Sequence, residues 1–379
     1  MTRSGRFGMV VWAAGGNVAP AAGLARVLCG RGHEVRVLGP SVLRERFEAA
    51  GCAYHPFARA REPGRVDEDV FDDNLLGWTR FITGSRLADD VAEMLGRHPV
   101  DALVVDAFLS AALAAGERAR IPTAALVHVL YQPSVEGPSA TQWDPSRPLV
   151  EATRGHLDLP PLDPGSPVLR TVWGRADLAL ACTPEQFDHP LSDRPANLRY
   201  VGPIFDQSPD VRTEPTRPLV LVSFSTTNMR QGPALQRVLD ACEPLDVDVL
   251  CTLGGVAVDG LRVPGNTTVR DWRPHREVLA RASAVITHAG LSTVMHALGN
   301  GVPMVCLPMG RDQPLNAERV ADLGLGRDIP VESSVACIRA AAEEVLGDAR
   351  FRQQARRMAG AVAGYGNGSI AATELESLL

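Results

Sequence analysis

The sequence predicts two doubly wound α/β domains in tandem, and three observations lead there. The apolar run Phe7–Ala14, the turn Gly15-Gly16-Asn17-Val18-Ala19-Pro20 and the helical stretch Ala21–Gly30 give strand, glycine turn and helix, the opening of a βαβ unit. A second buried-strand run, Leu219–Phe224, starts a new alternation further on. Between the two, Pro203–Pro218 is broken by prolines and charges and has no apolar periodicity, which marks a linker. At 379 residues the chain has room for two domains, at roughly 150 residues each.

The elements follow in order. Glu34–Leu38 reads as the second strand and Ser41–Ala50 as a helix. Residues 60–100 are polar and mixed, with Phe71, Leu75, Leu76, Trp78, Phe81 and Ile82 supplying an apolar face, so an insertion of loop and helix is expected. Asp101–Asp106 is a strand ending in a carboxylate, and Thr123–Val127 is a strand ending at His128. Prolines and glycines crowd residues 131–168, which predicts a long surface loop with little helix. Leu178–Cys182 and Leu198–Val201 close the first domain. In the second, strands are expected near 247–252, 267–269, 284–287 and 303–307 with helices between them. The last two helices fall near 349–363 and 369–379, separated by Gly364–Gly368.

Composition narrows the function. A net charge of -6 argues against nucleic acid or an anionic membrane surface as the main partner. The basic residues are all arginine, and the hydrophobic content of 45% is that of an ordinary globular protein. Seven cysteines are scattered, odd in number and without Cys-x-x-Cys spacing, which reads as free thiols in a reducing compartment. Phe7–Ala14 follows Arg3 and Arg6, but the run is short and Gly15-Gly16 ends it without a cleavage pattern; a first strand fits better than a signal peptide. No apolar run is long enough to span a membrane, and the expectation is a cytoplasmic protein. The first turn is not Gly-x-Gly-x-x-Gly, so a nicotinamide dehydrogenase has little support. Asp67-Glu-Asp69 and Asp246-Val-Asp248 have Asp-x-Asp spacing, but the first lies in a polar stretch and the second at a strand start; both read as solvated carboxylates, and no metal is expected.

Trp272–Gln313 is the most informative stretch. Ala284–Thr287 is a short apolar strand, Ala289-Gly290 a turn, and Leu291, Val294, Met295 and Leu298 recur at helical spacing. His288 therefore sits at a strand's carboxyl end, with Gly290, Ser292 and Thr293 at a helix N-terminus. Unpaired N–H groups and a partial positive charge suit that position to a phosphate. Gly290 lets the backbone approach closely.

Four features occur in order: Trp272-Arg273-Pro274-His275, His288-Ala-Gly290-Leu-Ser292-Thr293, Gly301-Val302-Pro303 and Asp312-Gln313. Together they resemble the nucleotide-binding box of GT-B fold, nucleotide-sugar-dependent glycosyltransferases. The style is that of the actinobacterial enzymes that decorate macrolides, enediynes and aromatic polyketides. The resemblance implies two Rossmann-like domains facing a central cleft: an acceptor domain over residues 1–203, a linker over 204–217, a donor domain over 218–363, and a C-terminal helix, 364–379, crossing back to the first domain. It implies an inverting transfer of a sugar, a deoxysugar by preference, from a TDP- or UDP-sugar co-substrate to a small hydrophobic acceptor. No metal or other cofactor is needed, and a homodimer is compatible with it.

Residue roles follow from the resemblance. His288, Gly290, Ser292 and Thr293 would hold the diphosphate, with Ser225 and Thr226 of the loop Ser223-Phe-Ser-Thr-Thr as a second phosphate contact. Trp272 would stack on the nucleobase and His275 present its backbone to the base edge. Asp312 and Gln313 would hydrogen-bond sugar hydroxyls. His296 stands where family members that use ribonucleotides often have Glu, which favours a thymidine diphosphate donor. Asn17 is the larger departure, because the family usually has a catalytic His there and an amide cannot take a proton. The partner carboxylate remains as Asp106. Three readings stay open: Asp106 or His128 is the base; the acceptor is itself acidic; or the chain binds donor without transferring well. A nucleotide-sugar epimerase or hydrolase on the same fold is the remaining enzymatic alternative.

Overall fold

The structure is a computed structural model. It describes the chain except residues 1–3, 64–70, 208–209, 214, 228 and 256–259, and except the side chains of 71–75. The chain divides into two compact units. One holds the described residues up to Asp206 together with Tyr365–Leu379, the other Gln207–Gly364.

The first unit is built on a seven-stranded parallel sheet. Its strands are β1 (Arg6–Val10), β2 (Glu34–Gly39), β3 (Ala53–Pro56), β4 (Ala102–Asp106), β5 (Thr123–Val127), β6 (Leu178–Ala181) and β7 (Leu198–Tyr200). Their order is β3-β2-β1-β4-β5-β6-β7, so the winding direction reverses between β1 and β4. Alternate residues of one strand enter different cores. Leu103 and Val105 of β4 pack in one cluster, Ala102 and Val104 in the other. Burial on both faces is why these strands read as continuous apolar runs rather than alternating ones.

The second unit carries a six-stranded parallel sheet of β8 (Leu219–Ser223), β9 (Asp248–Thr252), β10 (Thr267–Arg270), β11 (Ala284–Thr287), β12 (Met304–Cys306) and β13 (Gly326–Asp328). The order is β10-β9-β8-β11-β12-β13, with the reversal between β8 and β11. In doubly wound sheets, ligands bind beyond the carboxyl ends of the strands at that reversal.

Helix Ser369–Glu376 packs on helix Val18–Gly30 within the first unit. Ala371, Ala372 and Leu375 are fully buried. Glu376 pairs with Arg31 at 2.9 Å and accepts from His33 Nε2 at 2.9 Å. Burying one leucine contributes about 2 kcal/mol and an exposed ion pair about 0–1 kcal/mol, so the apolar face holds this helix.

Several expectations need correction. Residues 131–168 are largely helical, with Tyr131–Val135, a 3₁₀ stretch Pro138–Ser146 and Arg147–His156. Pro138 and Pro148 fall in first turns, where the missing N–H has no helical partner to lose. The insertion forms helices Phe71–Thr83 and Ser85–Arg97. Phe81 and Ile82 are buried there, but Leu76 is 46% exposed and so is not part of the core face; the side chains of Phe71 and Leu75 lie outside the described residues. Strands β3 and β13 were not expected from the sequence. β13 is three residues long, and a Cβ at Gly326 would meet the Met304 carbonyl oxygen at 1.8 Å, so glycine there serves close strand approach rather than a break.

Candidate active site

Each sheet gathers candidate residues at its own reversal point. In the second unit, Thr287 of β11 pairs with Ser223 of β8, so the loops leaving these two strands emerge side by side. His288 follows β11 and is buried, with its ring centroid 6.3 Å from Phe224 and Nδ1 3.4 Å from the Thr287 hydroxyl. Ala289 takes a left-handed φ of 63°, unusual for a residue with a Cβ. Gly290 is the N-cap of helix Leu291–Asn300, and no side chain caps that end. A Cβ at Gly290 would lie 2.6 Å from His288 Nε2; here glycine provides clearance for the imidazole. Ser292 is half-buried in the first turn and Thr293 buried beside it.

The other donor-side candidates divide. Ser225 is buried, shares a 2.8 Å hydrogen bond with the Thr227 hydroxyl and accepts from the Thr227 N–H, while Thr226 is exposed. Trp272 is 67% exposed, which rules out a core role and leaves its face open for stacking. His275 begins helix His275–Leu279 and turns its ring inward, with Nε2 3.1 Å from Ser223 Oγ; Ser223 Oγ also accepts from Thr252. Asp312 is half-buried at the N-cap of helix Gln313–Asp322. Gln313 is only 3% exposed; its Oε1 accepts from Met309 N–H at 2.8 Å and its Nε2 lies 3.3 Å from Met229 Sδ. Each end of its amide thus has one partner within the chain, on Nε2 only a thioether, and a second N–H and a second lone pair remain. The sequence reading missed Asn316, whose amide donates to both Ala289 O and Asp312 Oδ2. The available signal was its spacing, four residues after Asp312 in a helix.

In the first unit, Asn17 is the N-cap of helix Val18–Gly30 and is buried. Its Nδ2 donates to Trp12 O at 3.0 Å and to Asp106 Oδ2 at 2.9 Å, while Oδ1 has no hydrogen-bond partner among the described residues. Asp106 ends β4 and also accepts from Phe108 N–H at 3.1 Å. His128 follows the neighbouring β5, with Nε2 3.1 Å from Asp106 Oδ1 and 3.0 Å from Oδ2. A carboxylate only accepts, so the hydrogen sits on Nε2 and Nδ1 is the basic nitrogen. The aromatic ring of Phe108 stands against the trio, and the Trp12 carbonyl accepts from Asn17. Phe108 lies 5.4 Å from the His128 ring and 4.9 Å from Trp143, and Trp12 lies 5.1 Å from Trp78.

Burial sets the charge of the donor-side histidines. Desolvation pushes His275 and His288 down to about 4 and His296 down to about 3; a hydrogen bond to the Ser223 backbone partly opposes this at His288. The His275 and His296 rings lie 5.7 Å apart, and His275 further disfavours a charge on His296. All three are neutral near pH 7. The unfolded chain takes up their protons below about pH 6.5, while the folded chain does not until about pH 4. Their contribution to stability should therefore fall as pH drops through that window, by ~1.4 kcal/mol per pH unit for each proton. The expected result is a melting temperature that declines from pH 7 to pH 5, with a shallower decline in His296→Gln. An equal slope in that variant would contradict the neutral assignment of His296.

Among the described residues, no group of three or more His, Cys, Asp or Glu could hold a metal ion. Asp246 and Asp248 both pair with Arg217 at the start of β9; Asp67 and Asp69 lie outside the described residues. The seven cysteines are free. No described helix is long and apolar enough to cross a membrane.

Residues 236–377 match the family described as erythromycin biosynthesis protein CIII-like, C-terminal domain. Demethyllactenocin mycarosyltransferase of Streptomyces fradiae is 27% identical over 408 residues, spanning 100% of this chain and 87% of that protein. Among solved structures, the glycotransferase of kitacinnamycin superposes with a TM-score of 0.84 at 22% identity, over 100% of both chains. A glycosyltransferase of Streptomyces sp. SF2575 complexed with thymidine diphosphate superposes with a TM-score of 0.68 at 19% identity, over 98% of this chain and 99% of that one. At such identities the structural likenesses establish the fold, and the sequence relatives carry the activity. The protein is a glycosyltransferase of GT-B fold and of the antibiotic-biosynthesis type.

Proposed function

We propose that the enzyme transfers a sugar, with inversion at the anomeric carbon, from a thymidine diphosphate donor to a hydroxyl of a hydrophobic small molecule. The observation that carries this reading is the Asp106–His128 pair at the reversal point of the first sheet, beside Asn17. His128 takes the acceptor proton, and Asp106 holds the ring and offsets the charge that forms on it. The acceptor oxygen bonds to the anomeric carbon as the bond from that carbon to the diphosphate breaks on the opposite face. A single displacement inverts the centre. Asn17 keeps Asp106 in place without titrating. The half-buried rings beside His128, Phe108 and Trp143, suit an apolar acceptor.

On the donor side, His288 and the N–H groups around Gly290, Ser292 and Thr293 receive the departing diphosphate, Trp272 stacks on the base, and Asp312 binds a sugar hydroxyl. These neutral donors take the role a metal ion has elsewhere. His296 in place of a ribose-binding carboxylate favours the 2′-deoxynucleotide, and the solved relative from Streptomyces sp. SF2575 was complexed with thymidine diphosphate. We place the reaction in the cytoplasm.

The test is the anomeric configuration of the product, read from proton coupling constants by NMR. Inversion relative to the donor is expected, and retention would overturn the mechanism. Donor choice is read by thermal shift, where a nucleotide at 100 times its Kd adds about 2.7 kcal/mol of stability; uridine diphosphate stabilising more than thymidine diphosphate would reverse that assignment. For the sugar, Asp312→Ala should raise KM for the nucleotide sugar by about tenfold, the loss of one charged hydrogen bond, and leave binding of the free nucleotide nearly unchanged. Equal weakening of both would make Asp312 a structural residue.

A further inference from the structure

Asn316 is fully buried on helix Gln313–Asp322, and its amide reaches both halves of the donor machinery. One amide hydrogen goes to Ala289 O at 3.0 Å, the other to Asp312 Oδ2 at 2.9 Å. The first bond grips the left-handed residue between His288 and Gly290. Such a conformation persists at a residue with a Cβ only where its surroundings over-determine it. The second bond fixes the orientation of the carboxylate. Among the described residues Asn316 Oδ1 has no hydrogen-bond partner, so the side chain keeps a buried acceptor unsatisfied, at a cost that leucine of similar size would avoid. Packing alone does not account for an asparagine there.

We propose that Asn316 is a positioning residue that couples the diphosphate-binding turn to the sugar-binding carboxylate. This rests on the donor-site reading given above. With both groups on one amide, the turn cannot relax without moving Asp312, and the sugar and the diphosphate are recognised as one ligand.

The experiment is a double-mutant cycle with Asn316→Leu and Asp312→Ala, read as Kd for free thymidine diphosphate and KM for the thymidine diphosphate sugar. Asn316→Leu should weaken both, KM by about tenfold, equivalent to one or two hydrogen bonds, and Kd by less. In the Asp312→Ala background, its effect on KM should shrink to its effect on Kd, because the carboxylate it orients is gone. The same effect on KM in both backgrounds would overturn the coupling. So would a lower melting temperature with KM and Kd unchanged, the outcome of a purely structural role. Should Asn316→Leu fail to fold, Asn316→Ala reads the same cycle. Wild-type protein that binds neither thymidine nor uridine diphosphate would overturn the donor site itself, an outcome visible before any variant is made.

Discussion

His128→Gln should lower kcat by about 10²–10⁴, the usual worth of a general base, while the KM for the nucleotide sugar stays close to that of the wild type. Asp106→Asn should fall in the same range for a different reason. An amide nitrogen facing His128 would donate to the ring, move the hydrogen to the other nitrogen and leave the wrong atom basic. The two substitutions act on one unit, so the double variant should be scarcely worse than either alone. Asn17→His restores a titratable group at the position whose amide now donates to the same carboxylate, and should return part of the lost rate in His128→Gln. The measurement is steady-state turnover of an unactivated alcohol acceptor as a function of pH. The wild-type rate should fall towards low pH as the base protonates, and that acidic limb should disappear in His128→Gln. Full activity of both single variants on that acceptor would remove the pair from the chemistry. A pH profile that instead followed the acceptor's own pKa would favour the reading in which the acceptor is acidic enough to need no base.

Features set by neighbouring residues are legible in the sequence, and those set by strand order are not. β1, β5, β8 and β11 were legible because strands buried on both faces leave continuous apolar runs, and the turns after β1 and β11 carry glycine. The segment 131–168 was misread because proline was counted as a breaker wherever it stood, whereas Pro138 and Pro148 open helical stretches. β13 escaped because a three-residue edge strand has no period to detect. His288, Gly290, Ser292 and Thr293 were placed together by their spacing alone, since they lie on one strand–turn–helix. The meeting of Asn17, Asp106 and His128 depended on the strand order, because three separate loops converge only once β1, β4 and β5 are neighbours. The inward turn of Gln313 and the double bond of Asn316 were out of reach for the same reason, since both depend on which chain segments lie across from the helix.

The second large effect concerns the departing diphosphate. His288→Ala should lower kcat by about 10²–10³, as removal of a donor aimed at developing charge does, and should weaken binding of free thymidine diphosphate. Burial holds His288 at about 4, so near pH 7 the ring of the free enzyme is neutral with a single N–H, which the Ser223 carbonyl accepts; to donate to the diphosphate the ring must release that carbonyl or take a second proton as the ligand's charge arrives. His288→Gln keeps an N–H donor and should recover part of the loss, an outcome foreign to a mechanism that needs an imidazolium. Gly290→Ala supplies an independent probe. Its Cβ would fall 2.6 Å from Nε2, so the ring must swing away from the turn, and the variant should reproduce much of the His288→Ala defect with the histidine still present. Isothermal titration with thymidine diphosphate separates binding from turnover, and thermal melting of each variant separates both from misfolding. Should His288→Ala keep the wild-type nucleotide affinity and turnover, the diphosphate does not sit at the end of β11, and the N-terminus of helix Leu291–Asn300 would have to be explained without it.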